Sequence, residues 1–158
     1  MAWIEGTEKQ SLVINAPLEQ VVDFFGDPKK LQVCFTQLER AEEIEPGLWK
    51  WVLREKNEKG VKFQGTYSVR YEREGDDRVV WNTVGEGNMR SKGTVRCRKL
   101  GQKTEVDYEE TIATDLPIPK LAAKVFNGIV AREIRKGVGG YLELVKSHLE
   151  KAHAGASR

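Results

Sequence analysis

The sequence predicts an α+β fold in which a curved antiparallel sheet of six to seven strands wraps around one long C-terminal helix. Three observations predict it. Apolar and polar side chains alternate with a period of two over most of residues 49–113, as they do in strands. Apolar residues recur at helical spacing in two short segments after the first strand, and again from about Lys120 onward. The sheet has one strongly apolar face, which only the C-terminal helix is long enough to cover.

Length and composition favour one globular domain. The 158 residues are 39% hydrophobic and 32% charged, which is typical of globular chains rather than disordered ones. We expect a single domain over residues 1–150 and a frayed tail over residues 151–158. The 26 basic and 24 acidic residues give a net charge of +2, which provides no general case for nucleic acid or an anionic membrane surface as a partner.

No targeting or membrane-spanning segment is evident. The first residues lack a basic flank followed by an apolar run, and no stretch approaches about 18 uninterrupted apolar residues. Cys34 and Cys97 lie far apart without metal-ligand spacing, so we expect two buried free thiols. These features predict a cytoplasmic protein without an integral membrane segment.

The N-terminal region predicts one strand and two short helices. Residues 10–15 form the strand, and Pro17 suits the first turn of the helix that follows. The apolar positions of this helix share one face: Leu18, Val21, Val22, Phe24 and Phe25. Asp27 and Pro28 are typical of a second helix start, and that helix runs to about Cys34.

The middle of the chain predicts a meander of antiparallel strands. Its strands cover residues 49–54, 61–71, 79–84, 89–100 and 103–113. Residues 55–60 form a polar turn, and matching apolar faces across it requires pairs such as Trp51 with Gly65. Gly101-Gln102 is a favourable two-residue turn for the last hairpin.

The register of that hairpin accounts for a conspicuous run of basic residues. The run comprises Arg90, Lys92, Arg96, Arg98, Lys99 and Lys103. The turn places Arg98 opposite Glu105. It also places Arg96 opposite Asp107. These opposite charges predict surface ion pairs rather than a nucleic-acid or phospholipid patch.

The same register places a carboxylate on the inward face, because it sets Val95 beside Tyr108 and Gly93 beside Glu110. An inward carboxylate needs a partner, water or a ligand. Three interpretations stay open. Glu110 lies near the rim or on a bulge that returns it to solvent, it anchors a ligand hydroxyl or carbonyl, or it acts as a general base.

This pattern resembles the START-like, or SRPBCC, helix-grip superfamily over about residues 8–150. The resemblance rests on the strand–Ala16-Pro17–helix–Asp27-Pro28 arrangement, followed by a meander and a long terminal helix. Within the superfamily, residues 16–28 and the segments Gly93-Thr94-Val95 and 104–108 are similar to the branch named after a carbon monoxide dehydrogenase subunit. That branch has a Cys-Ile-Pro-Gly-like sequence where residues 34–37 here read Cys-Phe-Thr-Gln.

The resemblance implies a cavity between sheet and helix for a hydrophobic molecule such as a lipid, sterol, quinone or polyketide. We expect ligand-binding residues among the inward-facing side chains: Trp49, Trp51, Phe63, Tyr67, Trp81, Val95, Tyr108, Glu110, Phe126 and Val130. The aromatic residues fit an ordinary core equally well. Gly65 and Gly93 beside them are compatible with a retained void or with sheet curvature.

The expected function is a binding or carrier module, with no catalytic residue assigned and no cofactor or metal. Both histidines, His148 and His153, lie at the end of the chain, away from the predicted cavity, and no glycine-rich phosphate loop follows a strand. One alternative is a polyketide cyclase or dehydratase that uses Glu110, Tyr67 or Tyr108 to move protons. Another is an accessory or assembly protein that acts through surface contacts.

The C-terminal helix carries two unusual features. Four glycines would each destabilise it by about 1 kcal/mol relative to alanine: Gly128, Gly137, Gly139 and Gly140. Gly139-Gly140 predicts a break or bend that lets the helix move off the sheet and admit a ligand, and the alternative is close packing against bulky sheet residues. A basic stripe is either a solvated face or a docking surface for an acidic protein: Lys120, Lys124, Arg132, Arg135 and Lys136.

Overall fold

The described part of the chain, residues 2–156 of a computed structural model, contains nine strands and three helices. The strands are β1 (Ala2–Ile14), β2 (Leu38–Glu45), β3 (Leu48–Leu53), β4 (Lys56–Glu58), β5 (Val61–Phe63), β6 (Thr66–Glu74), β7 (Arg78–Thr83), β8 (Met89–Leu100) and β9 (Lys103–Leu116). The helices are α1 (Leu18–Gly26), α2 (Pro28–Leu31) and α3 (Ala123–Ala156), with 3₁₀ turns at Gln32–Cys34 and Lys120–Ala122.

Seven strands form one antiparallel sheet in the order β1-β9-β8-β7-β6-β3-β2, and β4 and β5 form a separate hairpin. One face of the sheet is covered by α1 and α3, which bury an apolar stripe each. The stripe of α3 has helical spacing: Phe126, Ile134, Val138, Leu142, Val145 and Leu149. The predicted α+β architecture, with a sheet around a long C-terminal helix, is confirmed.

Local capping follows the sequence. The Asp27 carboxylate accepts a hydrogen bond from the Lys29 backbone N–H at 2.9 Å, and Pro28 occupies the first turn of α2. The hydroxyl of Thr104, which is fully buried, donates to the Ala16 carbonyl oxygen at 2.8 Å. This bond ties the chain between β1 and α1 to the end of the sheet.

The β8–β9 hairpin has the predicted register, with Arg98 opposite Glu105 and Gly93 opposite Glu110. Arg98 binds both Glu105 and Asp107, the latter at 3.3 Å. The predicted ion pair between Arg96 and Asp107 is not formed, because Asp107 binds Arg98 diagonally instead of the residue directly opposite.

β1, β2 and β9 differ from the prediction in length or existence. β1 begins at Ala2 rather than residue 10 and pairs with β9 from Ala2 opposite Leu116 to Ile14 opposite Thr104. β9 accordingly ends at Leu116, beyond residue 113. β2 was not predicted, because its residues are largely charged and exposed at the edge of the sheet and show no clear alternation. Pairing with a neighbour, rather than periodicity, defines all three.

The register between β3 and β6 is shifted from the prediction. Trp51 lies opposite Tyr67, not Gly65. The shift is two residues, so the inward face is preserved. Its cause is the β4–β5 hairpin, which turns at Lys59 and Gly60 with φ values of 51° and 79° and separates residues 61–63 from β6. The predicted single strand over residues 61–71 is therefore wrong.

The helix glycines neither break α3 nor are all explained by close packing. α3 is one continuous helix, so the predicted break is wrong. A Cβ atom added at Gly128, Gly137 or Gly140 would meet no atom within 4 Å, so close packing does not explain these three. The helix also continues to Ala156, beyond the expected boundary at residue 150, and residues 157–158 lie outside the described part.

The helices and the two cysteines can be compared with the expectations about membrane segments and free thiols. None of the helices among residues 2–156 combines the length and apolar character that crossing a bilayer requires. Cys34 and Cys97 are both free and buried, as predicted. Burial raises the pKa of the Cys97 thiol to about 12.

Candidate ligand-binding cavity

A cavity of about 220 Å³ lies between the sheet, the β4–β5 hairpin and α3. It is several times larger than the ~30 Å³ that a water molecule occupies in the liquid. Most of its lining is apolar, with Phe63 from the hairpin, Ile112 from β9, and Phe126, Val130 and Ile134 from α3. Such a volume and lining suit a small, largely apolar molecule.

All four tyrosines of the chain line this one cavity. Tyr67 and Tyr71 come from the same face of β6, Tyr108 from β9 and Tyr141 from α3. Tyr108 donates a hydrogen bond to Glu110, whereas the hydroxyls of the other three make none with residues 2–156. Burial raises the pKa of all four phenols, and the nearby Glu110 raises each further. They are therefore neutral groups, three of them with unused hydrogen-bonding capacity facing the cavity.

Glu110 is the one acidic side chain among these phenols. Its Oε2 accepts a hydrogen bond of 2.6 Å from Ser91 Oγ, and its Oε1 accepts one of 2.9 Å from the Tyr108 hydroxyl. Burial raises the pKa of this carboxyl, although the two hydrogen bonds act in the opposite direction. It lies in the regular β8–β9 ladder opposite Gly93 and lines the cavity, so the interpretation that a bulge returns it to solvent is wrong.

Ser91 is held in place by two neighbours on β7. Its Oγ accepts a hydrogen bond from Trp81 Nε1 at 2.9 Å while donating to Glu110. Its backbone N–H donates to Thr83 Oγ1 at 2.7 Å, and the Thr83 hydroxyl donates back to the Ser91 carbonyl at 3.0 Å. A chain of hydrogen bonds thus runs from Trp81 through Ser91 to Glu110 and fixes the carboxylate orientation.

The glycine opposite Glu110 leaves no void. A Cβ atom on Gly93 would clash with the Trp81 ring and lie 2.5 Å from the Glu109 carbonyl oxygen. The Trp81 ring therefore occupies the space above Gly93, which is how its Nε1 reaches Ser91. Gly65 lines the cavity, but a Cβ atom there would lie 2.7 Å from Met89 Sδ, so this glycine leaves no open space either.

Six of the ten predicted ligand-binding residues line the cavity: Phe63, Tyr67, Tyr108, Glu110, Phe126 and Val130. The other four, Trp49, Trp51, Trp81 and Val95, are buried in the packed core instead. Trp49 stacks on Trp51 with ring centroids 5.6 Å apart, and Trp81 stacks on Tyr71 at 5.5 Å. The inward direction of strand residues and the apolar period of α3 did not separate residues that line the cavity from residues of the packed core.

Sequence reasoning missed two of the four phenols. Tyr71 continues the inward alternation that begins at Tyr67, and Tyr141 falls on the apolar period of the C-terminal helix. Both signals were visible in the sequence. Neither identified a cavity residue, because the same periodicity is expected of core residues.

Charged groups other than Glu110 lie where the cavity meets solvent. Lys56 Nζ on β4 lies 3.4 Å from Glu133 Oε2 on α3, and Arg54 Nε donates to the Thr36 carbonyl at 3.2 Å. Among the described lining residues, the cations are these exposed ones. The interior therefore offers neutral donors and one carboxyl group, but no positive charge for a deeply bound anion.

Comparisons with known proteins agree with this fold. A family model described as "Polyketide cyclase / dehydrase and lipid transport" matches residues 7–145. No curated protein matches the sequence. Among solved structures, a protein of Thermus thermophilus is similar with a TM-score of 0.70 and 21% identity, over 93% of this chain and 99% of that one.

Two further solved structures are similar in fold. A START superfamily protein from Mycobacterium smegmatis has a TM-score of 0.70 and 10% identity, covering 92% of this chain and 98% of its own. The aromatase/cyclase Zhui from a Streptomyces species has a TM-score of 0.70 and 12% identity, covering 93% and 94%. At these identities the likeness shows the fold alone.

Proposed function

Because the chain belongs to the polyketide cyclase/dehydrase and lipid-transport family, we propose that it is a binding or carrier module for a hydrophobic small molecule held between sheet and α3. Lipid, quinone and polyketide-like compounds are the candidate ligands. The predicted START-like membership is confirmed, and the branch named after a carbon monoxide dehydrogenase subunit stays a prediction. The observation that carries the proposal is the apolar cavity lined by every tyrosine of the chain.

The polar side chains of the cavity restrict which polar groups a ligand can have. Tyr67, Tyr71 and Tyr141 offer unpaired neutral hydroxyls, and Glu110 offers a carboxyl whose pKa is raised by burial. A ligand carbonyl or hydroxyl would satisfy these groups, whereas a ligand carboxylate would approach Glu110 without a cation nearby. We therefore propose a neutral ligand whose oxygen lies near Glu110 and whose apolar body contacts Phe126 and Val130.

A substitution that fills the cavity tests this function. Gly137 lines the cavity and has no atom within 4 Å of a Cβ position, so Gly137→Leu places an isobutyl group in the open space. Gly140 also has no neighbour within 4 Å but is exposed on the same helix. Gly140→Leu is therefore the matched control.

The probe is 2-naphthol, a neutral fused-ring phenol, with 2-naphthoate as its anionic counterpart, and binding is measured by titration calorimetry. We expect the wild type and Gly140→Leu to bind 2-naphthol more tightly than 2-naphthoate, and Gly137→Leu to lose 2-naphthol binding while staying folded. Equal 2-naphthol binding by the two leucine variants would refute a cavity site. Native mass spectrometry of the gently purified protein then identifies any co-purified ligand.

A second candidate is a cyclase or dehydratase, which the Tyr108–Glu110 pair favours. A buried carboxyl with a raised pKa is suited to acting as a general acid or base, and the Tyr108 phenol at 2.9 Å is positioned to share its proton. The experiment is turnover of an aromatic polyketide-like substrate by Glu110→Gln. Retained turnover excludes Glu110 as the acid–base group, and lost turnover with retained 2-naphthol binding supports the enzyme.

We also propose a cytoplasmic location, which the two free, buried cysteines support.

A further inference from the structure

The start of α3 and the turn before it present an exposed surface that mixes apolar and basic side chains. Leu121 is 94% exposed and Val125 is 59% exposed, which is unusual for large apolar residues. Each directly follows an exposed lysine in sequence, and Arg132 and Lys136 recur about two and three helical turns after Val125. We call this surface the docking face: Lys120, Leu121, Lys124, Val125, Arg132 and Lys136.

The positive charge of this region is not compensated. Residues 116–140 contain five basic side chains and one acidic one, a net charge of +4, whereas the complete chain carries only +2. The acidic one, Glu133, points toward the cavity and binds Lys56. Of the five cations, Arg135 lies 3.7 Å from Glu8, and the other four have no ion pair with residues 2–156.

The docking face borders the cavity. Phe126 and Ile129 line the cavity and lie on α3 directly beside Val125, separated from it by one and four residues of sequence. The hairpin residues Val61 and Phe63 pack against the same part of the helix. A molecule that enters or leaves between hairpin and helix therefore passes next to the docking face.

We propose that the docking face binds an anionic lipid bilayer. Leu121 and Val125 enter the boundary between headgroups and acyl chains, and Lys120, Lys124, Arg132 and Lys136 contact the negative headgroups. A purely acidic protein surface, the partner expected from the basic stripe alone, would pair these cations but offer no apolar contact to Leu121 and Val125. Contact with the bilayer would let a hydrophobic ligand pass directly between the cavity and the membrane. This role rests on the proposed function.

Vesicle sedimentation tests the contact without any ligand. One set of vesicles is phosphatidylcholine alone, and in the other a third of the lipid is phosphatidylglycerol. We expect binding to the anionic vesicles and little to the neutral ones. The double variant Lys120→Glu with Lys124→Glu should bind more weakly by about 30-fold or more. Each cation near an anionic membrane surface contributes ~1 kcal/mol to binding, and this variant loses two of them.

The matched control is Lys99→Glu with Lys103→Glu. It reverses two exposed lysines beside the β8–β9 turn, at the opposite end of α3 near Glu150, and should leave vesicle binding unchanged. Leu121→Ser with Val125→Ser keeps every charge and should still weaken binding, because the apolar insertion is lost. Far-UV circular dichroism confirms that each variant is folded.

Three results would overturn the proposal: no vesicle binding by the wild type, equal binding to both vesicle types, or retained binding by Lys120→Glu with Lys124→Glu. A different pair of results would assign the docking face to an acidic protein instead. In that case the wild type does not bind vesicles, and it binds immobilised polyglutamate as tightly as the variant with Leu121→Ser and Val125→Ser does. Titration of 2-naphthol in the same variants is independent, so failure of the membrane contact and failure of the cavity site are distinguishable.

Discussion

Tyr108 donates a hydrogen bond of 2.9 Å to Glu110, two residues further along β9, so one strand supplies both the buried acid and one of its donors. Residues two apart point to the same face of a strand, which makes this pairing a direct consequence of local geometry. Ser91 on β8 donates to the other oxygen, and no cation pairs with the carboxylate among residues 2–156. Burial accordingly dominates, and the pKa of Glu110 is raised.

The raised pKa predicts how Glu110→Gln changes stability with pH. The folded protein keeps a proton on Glu110 at pH values where the unfolded chain has lost it, above about 4.5. Wild-type stability therefore falls as pH rises from that value through the folded pKa. Glu110→Gln lacks this loss, so its free energy of unfolding should improve relative to wild type as pH rises. Urea unfolding at a series of pH values measures the difference, and parallel curves would contradict the prediction.

Glu150 provides a control for this prediction, because its pKa is lowered whereas the pKa of Glu110 is raised. Hydrogen bonds from Lys146 Nζ at 2.7 Å and from the Asn15 backbone N–H at 2.8 Å lower its pKa. Its contribution to stability is present above about 4.5 and lost as pH falls through the folded pKa. Glu150→Gln should therefore lose stability relative to wild type as pH rises. The same sign for both glutamine variants would show that burial does not govern Glu110.

The cavity tyrosines should differ in their effect on stability. Tyr141→Phe removes a hydroxyl without a hydrogen bond to residues 2–156, so we expect a change within about 0.5 kcal/mol. Tyr108→Phe removes a donor to a buried carboxyl and should cost about 1–3 kcal/mol. Urea unfolding near neutral pH compares the two, and an equal cost would mean that the Tyr141 hydroxyl has a structural partner.

Two glycines should respond to alanine in opposite directions. Gly93→Ala forces a methyl group against the Trp81 ring and the Glu109 carbonyl and should cost about 1–3 kcal/mol. Gly128→Ala adds a methyl group in open space on a helix and should stabilise by about 0.5–1 kcal/mol. Chemical denaturation measures both. Tolerance of Gly93→Ala would show that the Trp81 ring moves aside readily.

The buried hydroxyl of Thr104 should be needed for stability. Thr104→Val keeps the shape but leaves the Ala16 carbonyl oxygen without its donor, at a cost of about 1–3 kcal/mol. Thr104→Ser retains the hydroxyl and should recover at least part of the loss. If serine and valine destabilise equally, packing of the methyl group rather than the hydrogen bond is responsible.

The sequence by itself determined the elements whose structure depends on neighbours in the chain. The two-residue turn at Gly101-Gln102 sets the β8–β9 register, and with it the position of Glu110 opposite Gly93. Asp27 and Pro28 set the start of α2, and helical spacing located α1 and α3. In each case the deciding interactions lie within a few residues or across one tight turn.

Tertiary structure alone decided which inward residues line the cavity. Trp49, Trp51, Tyr67 and Tyr71 all follow the same alternation, yet the two tryptophans stack in the core while the two tyrosines face open space. The difference depends on where α3 and the β4–β5 hairpin lie over the sheet. Those positions result from contacts between segments distant in sequence, which a period of two does not encode.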